Sequence, residues 1–145
     1  MQIDTMTIDN EANTTLTVYL HEEKPEFHRI DKRPFILVIP GGGYGFCSER
    51  EAEPIALKFA AEGYHAGVLR YHVGEHRDFH KALADAEKSM DLIALLAEKA
   101  KIDQSKVAVI GFSAGGHLAA ALSTLSDRKP SACILAYPAI LSSFA

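Results

Sequence analysis

The chain has 145 residues, a formal net charge of −4 and 48% hydrophobic residues. That length suits one domain with a buried core. The acidic balance, with no basic stripe, speaks against nucleic acid or an anionic membrane as partner, and no apolar run reaches the length of a membrane span. The polar, acidic start from Met1 to Asn10 does not read as a signal peptide. Cys47 and Cys133 lie far apart without metal-ligand spacing, so two free thiols in a cytoplasmic protein are expected, with no metal and no cofactor.

Gln2 to Ile8 and the β-branched run Thr14 to Leu20 predict two paired strands around a turn at Asn10-Glu11-Ala12-Asn13. Glu22 to Pro34 is charged and irregular, a surface connection. Phe35 to Ile39 is a buried strand leaving through Pro40-Gly41-Gly42-Gly43. Ser48 followed by Glu51 has the spacing of a capping box, so a helix is expected there, with Pro54 either kinking it or sitting in its first turn and Gly63 stopping it. His65 to Tyr71 is the next strand. Phe79, Leu83, Ala86, Met90, Ile93 and Ala97 recur at steps of four and three, predicting an amphipathic helix from Asp78 to Lys99. Lys106 to Phe112 then reads as a strand, Ala114 to Leu125 as a helix and Ala132 to Tyr137 as a last strand. Strands alternating with helices predict an α/β fold with a mostly parallel sheet, whose ligands bind at the carboxyl ends of the strands.

Two segments fall at such ends. Gly111-Phe112-Ser113-Ala114-Gly115 is Gly-x-Ser-x-Gly between an apolar strand and an alanine-rich helix. This layout makes a nucleophile elbow, in which a sharp turn strains the serine backbone and lifts its hydroxyl clear of the sheet. The alternative, a serine that merely caps the helix, does not need glycine on both sides. Attack by Ser113 on an acyl carbonyl would require donors for the developing oxyanion. The Ala114 N–H is one candidate, and the amides of Gly41, Gly42 and Gly43 are the others. The tri-glycine is not a phosphate loop, because no Gly-Lys-Ser/Thr follows it.

Those residues resemble the N-terminal half of an α/β-hydrolase of the carboxylesterase type. The similarity is greatest to acetylesterase and xylan-esterase-like proteins and weaker to the hormone-sensitive lipase group. Pro40 to Gly43 stands where the family has His-Gly-Gly-Gly, and Arg70-Tyr71-His72-Val73-Gly74 where relatives read Asp-Tyr-Arg-Leu-Ala. Leu83-Ala84-Asp85, Gly111 to His117 and Leu135-Ala136-Tyr137-Pro138 complete the match. Proline replaces the loop histidine and His72 the arginine. The resemblance implies an eight-stranded, mostly parallel sheet and a triad in the order Ser, then Asp or Glu, then His.

After Ser113 the one histidine is His117 and the one carboxylate Asp127. His117 sits one helical turn beyond the serine, so local packing is expected rather than general-base duty. Asp127 is expected to be solvated. His72, His76 and His80 recur every four residues, but Gly74 breaks the helix that metal ligation would need, and a polar loop over the site is the reading preferred. Asp85 reads as a buried structural carboxylate pairing with loop N–H groups.

The expectation is therefore a single α/β-hydrolase domain over 1–145, incomplete at its C-terminus and truncated after the strand that follows the nucleophile helix. It would be a serine hydrolase of short acyl esters such as acetylated carbohydrates, working through an acyl-serine intermediate. Without the triad Asp and His it would be nearly inactive alone. Its partner would be a small-molecule ester. The other expectation is a non-catalytic hydrolase module forming a homo-oligomer through its exposed terminal strand.

Overall fold

A computed structural model describes residues 1–27 and 31–140. Six strands form one sheet: β1 (Gln2–Asp9), β2 (Thr14–Leu20), β3 (Arg33–Ile39), β4 (His65–Arg70), β5 (Ile102–Phe112) and β6 (Ala132–Ala136). Their spatial order is β1-β2-β4-β3-β5-β6. The β1/β2 and β2/β4 pairs are antiparallel, and β4, β3, β5 and β6 run parallel. Three helices connect them: α1 (Glu53–Ala61), α2 (Phe79–Ala100) and α3 (Ala114–Leu125).

The continuous apolar runs of β3 and β4 are buried on both faces, as inner parallel strands require, whereas β6 at the edge is largely exposed. Leu37, Ile39, Leu69 and Val109 face α2 and α3 in one cluster, while Ile36, Val38, Val68 and Ile110 face α1 in the other. Within α2 the buried line is Ala82, Ala86, Ser89, Ile93 and Ala97, with Leu83 and Met90 only partly covered. The small residues let the helix approach the sheet closely, so the contact line is rotated slightly from the stripe of large residues. Asp78 caps that helix, its carboxylate accepting the Lys81 N–H at 3.0 Å.

The capping box at Ser48 does not form. A short 3-10 turn spans Glu49–Glu51, and α1 starts only at Glu53, with Pro54 in its first turn. The Ser48 N–H donates to the Gly41 carbonyl at 2.8 Å. Glu51 is therefore free to point elsewhere. Other boundaries shift less. Of the Glu22–Pro34 connection, residues 28–30 lie outside the described residues, and β3 begins at Arg33, whose N–H reaches the Lys101 carbonyl at 2.9 Å. β5 starts at Ile102 rather than Lys106, through an irregular register opposite β3.

His72 is a correction to the polar-loop reading. It is 4% exposed and does not sit in a solvated loop. Its backbone N–H and its Nδ1 both meet Asp85 Oδ2, at 2.9 and 2.6 Å, and its Nε2 lies 3.3 Å from Asp9 Oδ2. Burial pushes the Asp85 pKa up, against the hydrogen bonds from His72 that lower it. Asp85 is thus the buried structural carboxylate expected. His76 stands beside Glu75, and His80 is exposed on α2. Among the described residues no group of three His, Cys, Asp or Glu side chains is placed to hold a metal.

The opposite end of the sheet holds a second buried histidine. His65 is 1% exposed. Its Nδ1 accepts the His21 N–H at 3.1 Å, which leaves Nε2 to donate to the Lys101 carbonyl at 3.3 Å. Burial pushes its pKa down to about 4 from the ordinary 6.5. The fold therefore favours neutral His65. Its contribution is full above the unfolded value and is lost as pH falls through the folded one. Urea titrations should show unfolding free energy falling by about 2–3 kcal/mol between roughly pH 7 and pH 4 from this group, and His65→Gln should flatten that decline. Equal slopes in the two proteins would remove His65 as its cause.

Candidate active site

Because β3 and β5 are parallel neighbours, their C-terminal exits lie side by side. The tri-glycine loop leaves one, and Ser113 leaves the other. Ser113 has φ 53° and ψ −115°, a conformation that costs an L-residue about 1–3 kcal/mol. Three backbone hydrogen bonds hold it there. Its N–H donates to the Ala136 carbonyl at 3.0 Å, and its carbonyl accepts from His117 and Ala139, both at 3.0 Å. At about 1 kcal/mol net each, they offset the strain. The Ser113 side chain makes no capping bond to α3. Ser113 as a residue is half-buried.

The glycines of the elbow are sterically required. A Cβ on Gly115 would lie 2.1 Å from the Ile39 carbonyl oxygen and 2.4 Å from that of Pro40. One on Gly111 would lie 2.3 Å from the Gly115 oxygen. The start of α3 is thus pressed against the end of β3, and this contact brings the two loops together.

The tri-glycine loop is tied down from several directions. The buried Tyr71 hydroxyl donates to the Pro40 carbonyl at 2.6 Å. The Gly41 N–H donates to Glu51 Oε1 at 3.1 Å, and Glu51 Oε2 accepts the Tyr137 hydroxyl. Gly42 turns at φ 137°, and its carbonyl accepts the Gly45 N–H at 2.9 Å. Tyr44 meets His117 Nδ1 at 2.8 Å, and burial pushes the Tyr44 pKa up to about 12, so the phenol stays neutral. Among the described residues the amides of Gly42, Gly43 and Ala114 have no acceptor.

Every residue singled out in the sequence around the elbow is therefore in one place: Gly41, Gly42, Gly43, Ser113 and Ala114. Gly41 differs from the rest, because its amide is already engaged. His117 packs locally as expected, hydrogen-bonded to Tyr44 and tilted against Phe79, and Asp127 is exposed beyond α3. Glu51, Tyr71 and Tyr137 were not anticipated as partners of the loop. Their spacing in sequence carries no signal of it, since each comes from a different element.

The steric argument at Gly115 is directly testable. Gly115→Ala places a methyl against backbone that cannot yield, so Ser113 should lose reactivity toward a fluorophosphonate by at least about a hundredfold, or the chain should fail to fold. A folded Gly115→Ala protein that labels at the wild-type rate would contradict the packing described.

Comparison with known proteins gives consistent results. The BD-FAE family model matches residues 18–134. An α/β hydrolase enzyme, MGS-M1, from a Medee basin deep-sea metagenome library is 48% identical, with a TM-score of 0.93 over 97% of this chain and 58% of its own. Endo-1,4-beta-xylanase B of Butyrivibrio fibrisolvens is 34% identical over 141 residues, covering 86% of this chain and 21% of that protein. Acetylxylan esterase of Xylanibacter ruminicola is 32% identical over 108 residues, covering 72% of this chain and 22% of that protein. The chain spans about a fifth of the curated relatives and rather more than half of the solved structure. With its strand order, its elbow and a family match over most of its length, the chain belongs to the BD-FAE family and has the α/β-hydrolase fold.

Proposed function

We propose that this chain carries the nucleophile and oxyanion-binding half of a serine carboxylic ester hydrolase acting on short acyl esters, acetylated carbohydrates among them. The observation that carries this reading is the strained backbone of Ser113 beside amides without acceptors. In the mechanism, the Ser113 hydroxyl attacks the ester carbonyl, and the tetrahedral oxyanion is bound by amides of the elbow and the loop. Ala114 N–H, at the positive end of α3, is one donor. Gly42 and Gly43 supply the others, while Gly41 N–H remains on Glu51. Collapse expels the alcohol and leaves acyl-Ser113. Water attacks next, releases the carboxylic acid and restores the serine.

A base must take the Ser113 proton and return it to the leaving alcohol. His117 is held by Tyr44 and has no carboxylate to orient it among the described residues. On this reading the triad acid and histidine come from outside the 58% of the MGS-M1 structure that this chain covers. The acetylxylan esterase relative supports an acetylated carbohydrate as the substrate class. The free thiols Cys47 and Cys133 favour a cytoplasmic setting. Among the described residues no helix is long and apolar enough to cross a membrane.

A fluorophosphonate probe tests the nucleophile. Slow, stoichiometric labelling of Ser113, abolished in Ser113→Ala, is expected. The 145-residue chain should hydrolyse p-nitrophenyl acetate some four to six orders of magnitude below a complete enzyme. Labelling at another residue would overturn the assignment.

One observation favours a second reading, that of a non-catalytic module pairing through β6. Among the described residues this strand pairs on one side only, and Ile134 and Leu135 are 45% and 39% exposed. Such an apolar edge invites another strand. On that reading, size-exclusion chromatography gives a dimer that Ile134→Lys dissociates, whereas a clean monomer at all concentrations rules it out.

A further inference from the structure

We propose that Glu51 is the positioning residue of the tri-glycine loop: its carboxylate fixes the Pro40–Gly41 peptide and thereby aims the Gly42 and Gly43 amides at Ser113. The proposal rests on the reading of Ser113 as nucleophile and deepens it. The Pro40–Gly41 peptide is held on both sides. Its carbonyl takes the Tyr71 hydroxyl at 2.6 Å, and its N–H gives to Glu51 Oε1 at 3.1 Å. A peptide bond is planar, so two such anchors set the orientation of the whole unit and the direction in which the chain continues. Without them, a run of three glycines has little to select one backbone conformation.

The other carboxylate oxygen reaches across the site. Glu51 Oε2 accepts the Tyr137 hydroxyl. Tyr137 directly follows Ala136, whose carbonyl holds the Ser113 N–H. Glu51 therefore ties the oxyanion loop to the segment that holds the elbow. The place where a Gly41 Cβ would sit is 2.9 Å from Glu51 Oε1 and 3.1 Å from Ser113 Cβ. The carboxylate thus stands within one residue's breadth of the nucleophile.

Two other roles for Glu51 fit less well. A capping role requires the Ser48 N–H, which goes to the Gly41 carbonyl instead. A general-base role requires a bond to the Ser113 hydroxyl, whereas both Glu51 oxygens already accept from other donors. A negative charge this near an oxyanion is unfavourable in itself. Its use here is as an acceptor, and a neutral acceptor of the same shape should serve as well.

The test uses the whole 15N-labelled chain. In the wild type, the Gly41 amide should be protected from exchange with solvent. In folded Glu51→Ala, the Gly41 protection should vanish, the Gly42 and Gly43 amides should move, and fluorophosphonate labelling of Ser113 should slow by about ten- to a hundredfold. Glu51→Gln keeps a carbonyl acceptor and should label within about threefold of the wild type. Wild-type labelling in Glu51→Ala, or Glu51→Gln as slow as Glu51→Ala, would overturn the proposal. So would a Gly41 amide that exchanges freely in the wild type, which can be read even if Glu51→Ala does not fold. An unreactive Ser113 in the wild type, with the Gly41 amide still protected, would overturn the nucleophile reading alone and leave the loop assignment standing.

Discussion

The close approach of Gly115 to the carbonyl oxygens of Ile39 and Pro40 is the constraint on which the rest of the site depends. It lets α3 begin against the end of the neighbouring parallel strand. The elbow and the tri-glycine loop are then side by side by construction. The strained serine persists because backbone hydrogen bonds from β6 and α3 outweigh its cost. The strain is held by the sheet and does not rest on any single side chain.

A glycine loop suits oxyanion binding because its amides are bare, but that same property makes it poorly determined. This fold supplies the missing definition from outside the loop. Tyr71 comes from the end of β4, Glu51 from the turn before α1, His117 from α3 and Tyr137 from the exit of β6. Donors that are already oriented need no reorganisation when charge develops, which is where electrostatic catalysis gains most. The unpartnered amides of Gly42, Gly43 and Ala114 are consistent with such a preset arrangement.

The two ends of the sheet differ in character. β1 is mostly polar, with Ile3 its exposed large apolar residue, whereas the apolar β6 presents Ile134 and Leu135. Between them, the buried Asp85 carboxylate is hydrogen-bonded to His72. His72 lies between Asp85 and Asp9 in the place where relatives of the resembled family have arginine. An imidazole reaches less far than a guanidinium, and Asp85 meets it with both a side-chain and a backbone contact. His65, by contrast, is buried as the neutral ring, satisfied by one backbone donor and one backbone acceptor.

Much was legible in the chain itself. Apolar runs and their period located the strands and helices, because burial on a sheet or a helix face repeats at a fixed spacing. Gly-x-Ser-x-Gly identified the elbow, because only glycine fits where backbone meets backbone. Ser113, Ala114 and the three glycines could be gathered from local pattern for the same reason. Local pattern failed where a side chain had two possible partners. Ser48 and Glu51 have capping-box spacing, yet the Gly41 carbonyl and amide took both groups, and His72 was claimed by Asp85 on a helix 13 residues away. Sequence by itself determined the elements and the strained turn, which depend on neighbours along the chain. Only the tertiary structure decided which amides are left without an acceptor among the described residues, because that depends on which distant acceptors fold within hydrogen-bond reach.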